Sequence, residues 1–183
     1  MTGSKISKRY AKALLSLGQD DGNYGEYGDN LKEFADFCRD NSEFSKVIAN
    51  PVFSVDDRKK VLDVVLEKSS FAALVKNFLR LLLDKQRIGG IEEVSADYTR
   101  LTDEISNIIR AEIITARPLK DEVMTKLDTV LSKITSKTVK ANVEEDESLI
   151  GGLVVKIGDL VLDGSVRAQL EGLKESLKRG EIN

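Results

Sequence analysis

Phe71-Ala-Ala-Leu-Val-Lys-Asn-Phe-Leu-Arg-Leu-Leu-Leu83 carries its apolar residues at helical spacing. Phe71, Leu74, Val75, Phe78, Leu79, Leu81, Leu82 and Leu83 occupy more than one face of the helix they predict, so that helix needs neighbours on several sides. The segment is therefore read as the centre of a bundle, and the sequence before it supplies the partners. Ile6, Tyr10, Ala13, Leu14 and Leu17 form an apolar stripe opposite Lys5, Lys8, Arg9 and Lys12, with Gly18 expected to stop the helix. Tyr24, Tyr27, Leu31, Phe34, Phe37 and Cys38 mark a second helix. Ser42 is the expected cap of a short third one, which must end before Pro51. Ser54 caps Val55–Lys68, with Asp56 and Asp57 in its first turn and Val61, Leu62, Val65 and Leu66 facing inward. Downstream, Gly89-Gly90 separates the central helix from a sixth, along which Ile91, Val94, Tyr98, Leu101 and Ile105 recur.

The pattern changes at Ile108. Ile109 to Ala116 alternates loosely as a strand that Pro118 closes. Asp121–Ser136 supplies a helix with Val123, Leu127, Val130, Leu131 and Ile134 inward. Thr138 to Glu144 alternates strictly, with Val139, Ala141 and Val143 on one face. Leu153–Ile157 turns through Gly158-Asp159 into Leu160–Leu162, and a final helix carries Val166, Leu170, Leu173 and Leu177. The fold class expected is mainly α with a small α/β part. A six-helix bundle over residues 1–105 precedes a small domain of short sheet and helices over 106–183.

Composition narrows the function. The 183 residues include 28 Lys+Arg against 31 Asp+Glu, one Cys and no His. Without His there is no imidazole base or ligand, and one Cys makes neither an intramolecular disulfide nor a Cys-rich metal site. A near-balanced charge argues against nucleic acid, which demands a basic surplus. No apolar run is long enough to span a bilayer. The basic start of the chain has the flavour of a transit peptide, but its Tyr-Ala-Leu stripe reads as part of the fold, so a cytoplasmic, bacterial chain is expected. Gly151-Gly152-Leu-Val-Val-Lys-Ile-Gly158 lacks the Gly-Lys-Ser/Thr ending of a phosphate loop and is followed by a strand. Glu144-Glu145-Asp146-Glu147 is expected to be a solvated loop, because four adjacent carboxylates cannot converge on one ion. Cys38 reads as a small buried hydrophobe. No catalytic, cofactor-binding or metal-binding residue is expected, and a binding or structural role is.

Several pieces of the chain resemble one family. Ser7-Lys8-Arg9-Tyr10-Ala11-Lys12-Ala13-Leu14-Leu15, Asn50-Pro51, Asn77-Phe78-Leu79 with Leu81-Leu82 and Arg87, and above all Glu147 to Leu170 ending in Asp163-Gly164-Ser165-Val166, are together similar to the delta subunit of rotary ATP synthase, known in mitochondria as the oligomycin-sensitivity-conferring protein. That resemblance implies a non-catalytic stator subunit at the cytoplasmic face of the bacterial inner membrane, attached to the membrane only through the complex. It implies that the helical domain grips the N-terminal helix of an alpha subunit of the catalytic head. It also implies that the C-terminal domain holds the b subunits of the peripheral stalk, so that rotor torque is resisted. The groove it implies lies on the first and fifth helices, at Tyr10, Ala13, Leu14, Leu17, Val75, Phe78 and Leu79, and the stalk contact at Leu170, Leu173 and Leu177. Each of these stripes also admits a plain reading as core, and a generic adaptor for amphipathic helices is the alternative function.

Overall fold

The computed structural model describes residues 5–158 and 160–179. It is mainly helical with one small sheet, and the chain divides into two compact units, Met1–Ile105 and Ser106–Asn183.

The first unit contains α1 (Lys5–Asp20), α2 (Tyr24–Asp40), α3 (Ser42–Ala49), α4 (Val55–Lys68), α5 (Ala73–Asp84), a 3₁₀ turn at Ile88–Gly90 and α6 (Ile91–Ile105). They enclose one apolar cluster, centred on Leu14, Leu31, Phe34, Leu62, Leu79 and Tyr98. Ser54 caps α4 as expected: its Oγ accepts the Asp57 N–H at 3.1 Å. Ser42 does not cap α3. It is the first helical residue, and Asn41 alone joins α2 to α3, its Nδ2 donating back to the Phe37 carbonyl at 2.9 Å.

Three further expectations are corrected. Phe71 precedes α5 and packs edge-on against Phe34, while α5 itself buries one face, with Val75, Phe78, Leu79, Leu82 and Leu83 inward and Leu81 exposed. It is an amphipathic wall of the bundle, since Lys76 and Arg80 hold its other side at the surface through the Ser69 carbonyl and Asp63. On α4, Val61 is exposed, and Arg58 takes its place in the inward row with Leu62 and Leu66. Gly18 does not stop α1, which continues to Asp20. A Cβ there would lie 2.9 Å from Tyr24 Cα, so glycine lets the start of α2 cross α1 at close range. Gly18→Ala is expected to lower stability by about 1–2 kcal/mol, because forcing the two backbones apart costs more than the roughly 1 kcal/mol gained in helix propensity. A thermal melt several degrees below that of the parent chain checks this.

The second unit runs β1 (Ile108–Thr115), α7 (Asp121–Thr135), β2 (Thr138–Glu145), a 3₁₀ turn (Glu147–Leu149), β3 (Leu153–Ile157), β4 (Leu160–Asp163) and α8 (Val166–Arg179). The sheet order is β2-β1-β3-β4. β1 and β2 are parallel, with Ile108 opposite Thr138, so α7 serves as their crossover. β3 is antiparallel to both β1 and β4, with Ile157 facing Ala111 on one side and Leu160 on the other. Gly158 takes up the positive φ of the β3–β4 turn, and the other expected turn residue, Asp159, lies outside the described residues. Ala111, Ile113, Leu131, Val155 and Ile157 form the core, with Leu127, Val139 and Ala141 packed on it. Of the five α7 residues expected inward, only Leu127 and Leu131 meet the sheet, while Val123, Val130 and Ile134 are exposed, as is Val143 of β2. The apolar arc of α7 is wider than the small sheet can cover.

The expected solvated loop at 144–147 is also corrected in part. Glu144 and Glu145 end β2, and Asp146 caps the 3₁₀ turn by accepting the Ser148 N–H at 2.9 Å. Bonding with Ser148 holds the Asp146 carboxyl below the usual carboxylate range.

Candidate functional site

The apolar residues of α1 separate into two adjacent rows. Ala11, Leu14, Leu15 and Gly18 point into the core. Ile6, Tyr10, Ala13 and Leu17, at i, i+4, i+7 and i+11, form an outer row in which Ile6 and Tyr10 are half-buried and Ala13 and Leu17 are exposed. α1 packs mainly along α6 and α2. It meets α5 where the Tyr10 and Phe78 rings lie edge to face with centroids 6.4 Å apart. On the α5 side Leu74 is half-buried and Leu81 is 43% exposed. The outer row of α1 and this flank of α5 thus leave apolar surface on either side of the Tyr10–Phe78 contact, hereafter the α1–α5 groove.

This placement divides the expected residues. Tyr10, Ala13 and Leu17 line the groove, and Phe78 contributes its ring to the contact with Tyr10. Leu14, Val75 and Leu79 lie wholly within the core and have no surface to offer a partner. Ile6, Leu74 and Leu81 belong to the groove although they were not among the expected site residues. Ile6 carries a signal for this, since it shares the spacing of Tyr10, Ala13 and Leu17.

Lys5, Lys8, Arg9 and Lys12 are all exposed on the remaining arc of α1, and of these the Arg9 guanidinium reaches the outer row, 5.5 Å from the centre of the Tyr10 ring. α1 is fixed in place from behind: Ser7 donates its hydroxyl proton to Asp97 of α6 at 2.7 Å, and Arg100 donates to the same carboxylate at 2.9 Å. Burial alone would raise the Asp97 pKa. The bonds from Ser7 and Arg100 outweigh it and hold the group below the usual carboxylate range.

The second surface lies on α8. Leu170, Leu173 and Leu177, the expected stalk residues, are 53%, 58% and 56% exposed, and they form one stripe with nothing packed over it. Leu160, Val161 and Leu162 of the edge strand β4 are exposed as well. Such a density of bare leucine on a short unit is the mark of a surface built to be covered.

The glycine motif before α8 has a structural explanation. Gly152 sits at φ +79°, where a Cβ would lie 2.3 Å from the Gly164 carbonyl oxygen. The Gly164 N–H donates to Leu153 O at 3.0 Å and the Val166 N–H to Gly151 O at 2.9 Å. The block Gly151-Gly152 and Asp163-Gly164-Ser165 is therefore a backbone clasp that launches α8, whose N-terminal turn is capped by Ser165 Oγ accepting from the Ala168 N–H at 3.1 Å. The Gly164, Ser165 and Val166 amides are all engaged, that of Ser165 by the Asp163 carboxylate at 2.8 Å. Cys38 is buried, and burial pushes its thiol up to about 12, far from thiolate chemistry. Among the described residues no group of three or more His, Cys, Asp or Glu is gathered as for a metal ion, and no helix is long and apolar enough to cross a membrane.

One family model, ATP synthase delta (OSCP) subunit, matches residues 6–177, a span that includes the clasp and nearly all of α8. The chain belongs to the ATP synthase delta (OSCP) subunit family. ATP synthase subunit delta of Desulfosudis oleivorans is 43% identical over 176 residues, covering 96% of each chain. That of Desulfatibacillum aliphaticivorans is 41% identical over 181 residues and 99% of each. In fold, a chain of the Toxoplasma gondii mitochondrial ATP synthase hexamer aligns with TM-score 0.70 at 20% identity, over 95% of this chain and 98% of that one. As a delta-family member the chain is a non-catalytic subunit of the ATP synthase peripheral stalk, and its partners are other ATP synthase subunits. A generic helical adaptor gives no account of a match that continues through α8.

Proposed function

We propose that the chain is a stator joint with one grip on each unit. The six helices over residues 1–105 act as one bundle that holds the N-terminal helix of an alpha subunit of the catalytic head in the α1–α5 groove, against Tyr10, Ala13, Leu17 and Phe78. The domain over 106–183 holds the b subunits of the peripheral stalk through Leu170, Leu173 and Leu177. The complex places the chain at the cytoplasmic face of the bacterial inner membrane, with no membrane contact of its own.

The observations that carry this reading are the exposed apolar row of α1 beside the Tyr10–Phe78 contact and the exposed leucine stripe of α8, each at helical spacing on one of the two units, although α7 and β4 leave apolar side chains exposed as well. A joint under repeated torque gains from apolar contact because salt does not screen it, whereas a surface ion-pair joint weakens at physiological ionic strength. Arg9, held over the Tyr10 ring, favours a partner helix with an acidic residue flanking its apolar face. Titration calorimetry of the full chain with a synthetic peptide of the host's alpha-subunit N-terminal helix tests the first grip: saturable one-to-one binding is expected, and a flat titration contradicts it.

A further inference from the structure

Arg58 stands in the first turn of α4 yet is only 2% exposed. Its Nη1 donates to the Ile48 carbonyl at a long 3.4 Å, and its Nε has no partner. Among the described residues it forms no ion pair. A guanidinium cannot shed its proton to escape burial, so among the described residues Arg58 is a buried cation without a counter-charge, where desolvation is costly. Buried charges persist when something neutralises them.

Arg58 and Arg87 both line one cavity of about 240 Å³. Among the described lining residues Glu93 carries the carboxylate, and it makes no ion pair with Arg58. Ile6 and Tyr10 form another part of the lining, and these two residues also belong to the α1–α5 groove. The space thus joins two arginines to an apolar approach from the groove. A free inorganic anion would leave those apolar walls unused, whereas a carboxylate on a methylene stem satisfies both parts of the lining.

We infer that the cavity is a receptor for one acidic side chain of the helix that docks in the α1–α5 groove, and that its carboxylate ion-pairs with Arg58. The inference rests on the docking proposed above. Arg58 in this role fixes the register of the partner helix, since only one residue of that helix can reach the cavity while its apolar face fills the groove.

The test is a double-mutant cycle on the full chain, with the synthetic alpha-subunit helix peptide and a set of peptides in which each Asp or Glu in turn becomes Asn or Gln. One of these is expected to bind the parent chain about tenfold more weakly, and that penalty should shrink to less than twofold on Arg58→Met. The Arg58→Met chain should melt at or above the parent temperature, because Met fills similar volume without an unpaired charge. Should that variant fail to fold, Arg58→Lys carries the same cycle and should lose part of the coupling, as an ammonium lacks the planar fork.

If the parent chain binds the peptide but no carboxylate shows a penalty that depends on Arg58, the inference falls and the groove assignment stands. If the parent chain binds no peptide, both fall. Inorganic phosphate or acetate binding the parent but not Arg58→Met, with all peptides equal, would make this a free-anion site and overturn the source named here.

Discussion

Ala13→Arg is expected to abolish binding of the alpha-subunit helix, lowering its affinity at least about a hundredfold, while leaving the melting curve of the chain within a degree or so of the parent's. Ala13 is exposed in the middle of the outer row of α1, so a longer side chain meets no residue of the bundle, and Arg is nearly as good a helix former as Ala. With the partner present, the guanidinium would have to enter an apolar contact where only a methyl group fits. Acidic residues on the partner's flanks do not rescue it, because the obstacle is volume and desolvation in the apolar contact itself. Circular dichroism and calorimetry on the same sample separate the two effects. Wild-type affinity in the folded variant would move the groove off α1.

The second large effect concerns α8. Leu170→Asp together with Leu173→Asp should cost the chain little stability, since both side chains are more than half exposed. Stalk affinity should nevertheless fall at least about a hundredfold, as two carboxylates would be buried without partners in the contact. Head binding through the first unit should be unchanged. In membranes carrying this variant, ATP hydrolysis continues while ATP-driven proton pumping and ATP synthesis are lost. A variant that unfolds the second unit would show instead that the stripe is core.

The helices were legible from periodicity because each keeps a polar and an apolar side over three or more turns. The strands were legible from alternation, and the cap at Ser54 from its chemistry alone. What the sequence concealed was how much of each apolar arc the neighbours cover. Val123, Val130 and Ile134 share the arc of Leu127 and Leu131, and only the small extent of the sheet decides which are buried. The same holds for Leu14 against Ala13, which sit on neighbouring rows of α1 and differ only in which row α6 and α2 reach. Gly18 read as a helix stop because its real constraint, the crossing of Tyr24, depends on how α2 folds back. No expectation was attached to Arg58. Its i, i+4, i+8 alignment with Leu62 and Leu66 was the available signal, and charge masked it.

The most direct test of the stator assignment is a bridging measurement, in which the soluble part of the stalk b subunits is immobilised and purified catalytic head is passed over it with and without this chain. The account predicts that the head is retained only when the full chain is present. It also predicts that retention is lost with Ala13→Arg and, separately, with Leu170→Asp/Leu173→Asp, each variant still binding the one partner whose surface it leaves intact. Head retained equally without the chain, or equally by both variants, would contradict it.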